Sequence, residues 1–150
     1  MEHGMKAMDL FVEGYNCAQA VAVAFCDVTG LDEKATAKMV SPYGGGMDRL
    51  REVCGAVSGM LFVLGYLYGY DNADADETKK ALYTQVQELA AGFREQCGSI
   101  ICRELLNNPP SDPNPSPRTA EYYKERPCAL MVKTAAELMD DFIAAHPLEN

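Results

Sequence analysis

Residues 53–70 read Val-Cys-Gly-Ala-Val-Ser-Gly-Met-Leu-Phe-Val-Leu-Gly-Tyr-Leu-Tyr-Gly-Tyr, eighteen positions without a charged side chain. A run of this length is near the lower limit for a transmembrane helix. Four glycines interrupt it, and the charged residues Arg49, Arg51 and Glu52 lie just before it. Since a helix that is apolar on all sides can equally form the core of a soluble bundle, we interpret this stretch as a buried central helix.

Helical patterns continue on both sides of this stretch. Asn16 and Asp32 are typical capping residues at helix starts, and Asp74 or Asp76 is expected to cap a long helix that follows the central one. Apolar spacing and capping residues predict helices over 5–13, 16–27, 32–40, 76–96, 100–106 and 127–145, with a helical turn over 119–124. We find no convincing strand. The predicted fold is an all-α bundle of about six helices around the central apolar helix.

The length of the chain fits a single domain. Its 150 residues are enough to bury a real core, and we assign residues 1–150 to one helical domain. The segment 107–117 contains five prolines. Because proline breaks helices, this segment is predicted to be an extended surface loop.

The net charge of the chain limits the classes of partner that it is expected to bind. A formal net charge of −9 argues against nucleic-acid binding and against docking on anionic membranes. We recognise no leader peptide, so the expected location is the cytoplasm. Disulfides there are mostly transient, catalytic or redox-sensing.

Four of the six cysteines stand where helices are expected to begin: Cys17, Cys54, Cys102 and Cys128. The free N–H groups and partial positive charge of a helix N-terminus favour a thiolate over a thiol. This placement therefore predicts reactive cysteines with lowered pKa values. No C-x-x-C spacing is present, so any shared site must be assembled by the fold, with one thiol from each helix.

The two remaining cysteines have a different expected setting. Cys26 lies late in the helix predicted over 16–27, and Cys97 lies at the end of the long helix that follows the central one. Because the helix dipole disfavours a thiolate at that end, we expect both to be structural or incidental.

The segment before Cys54 supplies candidate supporting residues. The N–H groups of Gly44, Gly45 and Gly46 are suited to form an anion-binding nest beside this thiol. Arg49 is a candidate to stabilise a thiolate, and Glu52 is a candidate proton shuttle. These neighbours make Cys54 the predicted attacking thiolate.

Two glycines of the central helix suggest close helix packing. Gly55 and Gly59 are four residues apart and therefore lie on one face of the helix. Without side chains they let another helix approach closely, which would bring a partner thiol near Cys54.

These segments together resemble the C_GCAxxG_C_C family of redox-active proteins over nearly the whole chain. The segments that carry the resemblance are Gly14–Val21, Gly44–Met47, Glu52–Gly59, Gly98–Leu106 and Cys128. The resemblance implies a helical, prokaryotic protein of similar size. It also implies that Cys17, Cys54, Cys102 and Cys128 are the family cysteines.

Three functions are compatible with this pattern. The first is a thiol–disulfide protein, either an oxidoreductase enzyme or a redox sensor, that works with an unidentified redox partner. The second is a binding protein whose four thiolates, Cys17, Cys54, Cys102 and Cys128, hold a metal ion or an iron–sulfur cluster. The third is a helical module with inert cysteines that acts through homo-oligomerisation.

Overall fold

The computed structural model describes residues 3–148, apart from the side chain of Glu125. Within that range the fold is all-α, as predicted. Nine right-handed helices follow one another: α1 Gly4–Glu13, α2 Cys17–Ala24, α3 Cys26–Thr29, α4 Glu33–Val40, α5 Gly55–Tyr68, α6 Asp76–Cys97, α7 Cys102–Leu105, α8 Ala120–Glu125 and α9 Cys128–Ala145. A 3₁₀ turn at Ser41–Tyr43 and a left-handed turn at Gly44–Met47 join α4 to the segment before α5.

The core lies where α2, α5 and α9 meet. The prediction of a central apolar helix is confirmed, since α5 buries one long face while Tyr66 at its far end is 54% exposed. Helix α2 shares the centre, because all of its residues except Gln19 are buried. The largest fully buried side chains belong to Phe11, Phe25, Phe93, Met60, Leu64 and Met139. No helix among residues 3–148 combines the length and apolar character needed to cross a membrane.

Glycines on α5 determine how closely α2 packs against it. A Cβ atom on Gly59 would lie 2.6 Å from the carbonyl oxygen of Ala18, and one on Gly55 would lie 3.1 Å from the Cβ atom of Cys17. The close approach expected from this glycine pair is therefore present. It places Cys17 against the first turn of α5.

Two of the predicted helix caps are present in the structure, and a third is not. Asn16 forms a capping box with Gln19, and the carboxylate of Asp32 accepts a hydrogen bond from the N–H of Ala35 at 2.8 Å. The expected cap from Asp74 or Asp76 is wrong, because Ala75 occupies the N-cap position of α6 without a side-chain hydrogen bond. Asp76 is instead the first helical residue, where its charge still complements the helix dipole.

The helix predicted over 16–27 is interrupted. It ends at Ala24, and after Phe25 the residue Cys26 opens the four-residue helix α3. The prediction that Cys26 lies near the end of a longer helix is therefore wrong.

The helix predicted over 100–106 is shorter than expected. An isolated antiparallel bridge pairs Val53 with Ile101. In it the N–H of Cys54 donates to the carbonyl of Ile100 at 2.7 Å, and the N–H of Cys102 donates to the carbonyl of Glu52 at 2.6 Å. Because this pairing keeps Ile100 and Ile101 out of the helix, α7 begins at Cys102. The bridge also brings two of the cysteine-bearing helix starts together.

Candidate functional site

A cavity of about 500 Å³ lies at the point where the cysteine-bearing helices begin, and four thiols line it. Cys17, Cys102 and Cys128 are the first residues of α2, α7 and α9, and Cys54 is the N-cap residue of α5. All four are buried. The structure thus brings the four family cysteines to one place, although no two of them are close in sequence.

The other two cysteines lie away from this cavity. The thiol of Cys26 is within hydrogen-bonding distance of the Thr36 hydroxyl oxygen, at 3.5 Å, in the packing between α3 and α4. Cys97 is the last residue of α6, as predicted, and its thiol interacts with Thr134. Since Cys26 opens a helix, position along a helix does not separate the two groups of cysteines. Location in the fold separates them.

The glycine segment before α5 is a left-handed turn. Gly45, Gly46, Met47, Asp48 and Arg49 have φ values from +48° to +75°. The N–H of Asp48 donates to the carbonyl of Gly44 at 2.8 Å, and the N–H of Arg49 donates to that of Gly45 at 3.1 Å. For residues other than glycine this conformation costs roughly 1–2 kcal/mol each. Such strain is concentrated at functional sites, and this turn forms part of the cavity wall.

Close contacts explain two of the glycines in this turn. A Cβ atom on Gly44 would overlap the side chain of Asn16. One on Gly46 would lie 2.6 Å from the backbone nitrogen of Glu52 and 2.8 Å from the Cβ atom of Cys102. Gly44 and Gly45 line the cavity. Their expected role in an anion-binding nest stays a prediction.

Two predicted supporting side chains have other partners. Arg49 lines the cavity, but its Nε donates to the carbonyl of Asp112 at 2.6 Å and its Nη1 to the hydroxyl of Ser116 at 2.9 Å. Glu52 does not line the cavity, and its carboxylate accepts a hydrogen bond from Arg103 at 2.9 Å. Arg49 therefore anchors the proline-rich loop, and Glu52 is paired with Arg103, so its expected role as a proton shuttle stays a prediction.

The cation that contacts a thiol is Arg51, which the sequence analysis did not select. Its side chain is 3% exposed, and its Nη1 donates to the sulfur of Cys102 at 3.7 Å. Its Nε donates to the carbonyl of Pro110 at 2.9 Å. Its Nη2 is buried without a hydrogen-bond partner among the residues that the structure describes. Arg49 and Arg51 both line the cavity, and no sequence pattern shows which of them contacts a thiol.

Burial is the largest influence on the pKa of two of the four thiols. It raises the pKa of Cys54 to about 12, although the N–H groups of Ala56 and Val57 in α5 favour the thiolate. Burial also raises the pKa of Cys102, and the hydrogen bond from Arg51 only partly offsets it. The predicted lowering of the Cys54 pKa is therefore wrong, because the loss of water around the thiol outweighs the helix N-terminus.

The remaining two thiols form a coupled pair. The hydrogen bond with Cys17 lowers the pKa of Cys128, and the charges of Arg126, Arg118 and Arg51 act in the same direction. The same hydrogen bond, together with burial, raises the pKa of Cys17 well above its ordinary value. Within the pair, ionisation is thus favoured at Cys128 over Cys17. The sequence analysis gave no role to Arg118 or Arg126, which also line the cavity.

This arrangement can perform thiol chemistry. A thiol with a lowered pKa beside a thiol with a raised pKa is suited to thiol–disulfide exchange, and all six cysteines are free thiols. Among residues 3–148, no three His, Cys, Asp or Glu side chains are spaced to hold a metal ion.

Comparison with known protein families identifies a family over most of the chain. Residues 15–142 match the family described as "Putative redox-active protein (C_GCAxxG_C_C)". Comparisons with curated proteins and with solved structures give no match. The family match spans most of the sequence and includes all four cavity cysteines. The chain therefore belongs to the C_GCAxxG_C_C family of redox-active proteins.

Proposed function

We propose that this protein carries out thiol–disulfide exchange in the cytoplasm, with Cys128 as the attacking thiolate and Cys17 as the resolving thiol. The observation that supports this assignment is the pairing of these two thiols at the starts of α9 and α2, inside one cavity. The hydrogen bond between them favours a single thiolate, on Cys128. One sulfur is thus ready to attack while the other is still protonated.

The exchange proceeds in two steps. In the first, the Cys128 sulfur forms a bond to one sulfur of a substrate disulfide, whose S–S bond breaks. The other substrate sulfur leaves as a thiolate and takes up the proton of Cys17. In the second step, the Cys17 thiolate attacks the Cys128 sulfur and releases the second substrate thiol, protonated from water. The substrate disulfide gains two electrons, and the protein acquires a Cys17–Cys128 disulfide.

Cys54 and Cys102 form the second part of the proposed site. Both are buried and protonated, and both are near enough to Cys128 for its charge to affect their pKa values. Arg51 favours the thiolate of Cys102 over that of Cys54. We propose that this second pair of thiols reduces the Cys17–Cys128 disulfide and takes over the oxidation, so that the site uses all four cysteines.

Controlled oxidation tests this assignment. In Cys102→Ser, which blocks transfer of the oxidation to the second pair of thiols, we expect one equivalent of a small disulfide to remove two thiols and produce a peptide crosslink between Cys17 and Cys128, located by mass spectrometry. Cys128→Ser should abolish the crosslink, whereas Cys26→Ser and Cys97→Ser, which change thiols outside the cavity, should not affect it. A first crosslink that includes Cys26 or Cys97, or no crosslink at all, would contradict the proposal.

A further inference from the structure

The cavity concentrates positive charge in an acidic protein. The chain has a formal net charge of −9. Among the residues that line the cavity, one is acidic, Asp48, and four are basic: Arg49, Arg51, Arg118 and Arg126. Since the molecule as a whole repels anions, this local excess of cations requires a local explanation.

Arg51 supplies an independent indication of a ligand. The residue is 3% exposed, yet its Nη2 is buried with no hydrogen-bond partner within the described part of the chain. Buried polar groups are nearly always hydrogen-bonded, and leaving a charged donor unpaired is costly. An acceptor supplied by a bound molecule would satisfy this donor.

Two further arginines lie near the attacking sulfur. Arg118 stacks 4.8 Å and Arg126 4.6 Å from the centre of the Tyr122 ring, so one aromatic side chain holds both guanidinium groups. Both lower the pKa of Cys128 through their charge. Arg49 contributes less positive charge to the cavity, because the carboxylate of Asp112 lies 3.6 Å from its guanidinium. An anion near Arg51, Arg118 and Arg126 is therefore also near Cys128.

The size and lining of the cavity indicate an organic anion. A volume of about 500 Å³ falls in the usual range for small-molecule sites and exceeds what an inorganic oxyanion needs. Apolar side chains form much of the wall, among them Phe11, Leu105, Leu106 and Met131. A substrate that fits this lining has an apolar part as well as an anionic group.

We infer that the substrate is a small organic disulfide that carries a carboxylate or sulfonate, which Arg51, Arg118 and Arg126 bind while Cys128 attacks the S–S bond. This inference rests on the proposed exchange function and specifies its substrate class. The covalent step is the exchange already described: a bond forms between Cys128 and one substrate sulfur, and the other substrate sulfur leaves and is protonated. The arginines position the anionic group and do not take part in proton transfer.

Alkylation of Cys128 tests the anion site without a disulfide. The probes are iodoacetate, which is anionic, and iodoacetamide, which is neutral and of similar size. We expect the iodoacetate-to-iodoacetamide rate ratio at Cys128 to exceed that of free N-acetylcysteine by about tenfold, the effect of one charge-assisted hydrogen bond. A ratio equal to or below that of the free thiol would overturn the inference, since the net charge alone disfavours iodoacetate.

Variants locate the effect. Arg51→Gln and Arg118→Gln should each reduce the ratio toward that of the free thiol. Arg94→Gln removes an exposed arginine from the last turn of α6, outside the cavity, and should leave it unchanged. If buried Arg51→Gln fails to fold, as judged by circular dichroism, exposed Arg118→Gln still decides the question. An unchanged ratio in folded Arg118→Gln would contradict the assignment.

A series of disulfides separates failure of the inference from failure of the proposed function. We expect Cys128 to react fastest with anionic dithiodipropionate, more slowly with neutral hydroxyethyl disulfide and slowest with cationic cystamine. Equal rates would overturn the anion inference and leave the exchange function intact, whereas no reaction at Cys128 would overturn both. Suberate, a dicarboxylate of matching length, should protect Cys128 from iodoacetamide, and equal protection by sulfate would overturn the organic part of the inference.

Discussion

Cys54 and Cys128 both stand at the start of a long helix and line the same cavity, yet folding moves their pKa values in opposite directions. Burial dominates at Cys54, where the nearest favourable groups are backbone N–H donors of α5. At Cys128 the thiol of Cys17 and three arginine charges outweigh burial. A helix N-terminus alone is therefore insufficient to make a reactive thiolate, and the neighbouring side chains decide the outcome.

The largest expected effect is the difference in alkylation rate between these two cysteines. With a pKa of about 12 for Cys54 and a lowered pKa for Cys128, Cys128 should react with iodoacetamide roughly 30-fold faster or more at neutral pH. Rates measured by mass spectrometry over a pH series check this, with Cys97 as an internal reference. An apparent pKa of Cys54 at or below that of Cys128 would contradict the expected difference between the two thiols.

Gly59→Leu tests whether packing between α2 and α5 maintains the site. The new side chain would meet Ala18 and Val21 of α2, so we expect a loss of about 1–3 kcal/mol in the free energy of unfolding. Reactivity at Cys128 should decrease as well, because Cys17 moves with α2. Chemical denaturation and alkylation rates measure the two effects.

The same helix offers a matched control. A Cβ atom on Gly65 meets nothing within 4 Å, so Gly65→Ala should stabilise the protein by up to about 1 kcal/mol. Gly59→Ala should not, since its Cβ would lie 2.6 Å from a carbonyl oxygen. Equal gains from both alanine variants would show that close approach is not the reason for Gly59.

Cys17→Ala tests the hydrogen bond that distinguishes Cys128 from Cys54. Removing the donor thiol should raise the apparent pKa of Cys128, because this hydrogen bond is the largest favourable influence on its thiolate. The alkylation rate of Cys128 at neutral pH should decrease about tenfold, the effect of one hydrogen bond to a charged group. Cys17→Ser retains a hydrogen-bond donor, so the alkylation rate of Cys128 should decrease less than it does in Cys17→Ala. An unchanged pH profile in Cys17→Ala would assign the effect to the arginines.

The smallest expected effect concerns the left-handed turn. Met47 has φ +69°, so Met47→Gly should relieve strain and stabilise the protein by up to about 1 kcal/mol. Met39→Gly, in the ordinary helix α4, should destabilise it by a similar amount. Thermal unfolding of the two variants checks these opposite changes in stability. A loss of stability in Met47→Gly would contradict the expected backbone strain at Met47.

Prediction from sequence succeeded where the signal is local. Asn16 has a capping side chain, and the spacing of Gly55 and Gly59 predicts a close helix contact, which the structure shows. Prediction failed where the outcome depends on distant groups. The pKa of Cys54 is decided by burial in the folded chain, which no short stretch of sequence encodes.

The sequence by itself determined the all-α fold, the central apolar helix and the positions of four cysteines near helix starts, because apolar periodicity and helix capping act over a few neighbouring residues. Only the tertiary structure decided that Arg51 faces Cys102 and that Cys17 is paired with Cys128. Burial and charge act through space between residues far apart in the chain. Thus the sequence identifies the candidate thiols, and the folded environment makes ionisation more favourable at Cys128 than at Cys54.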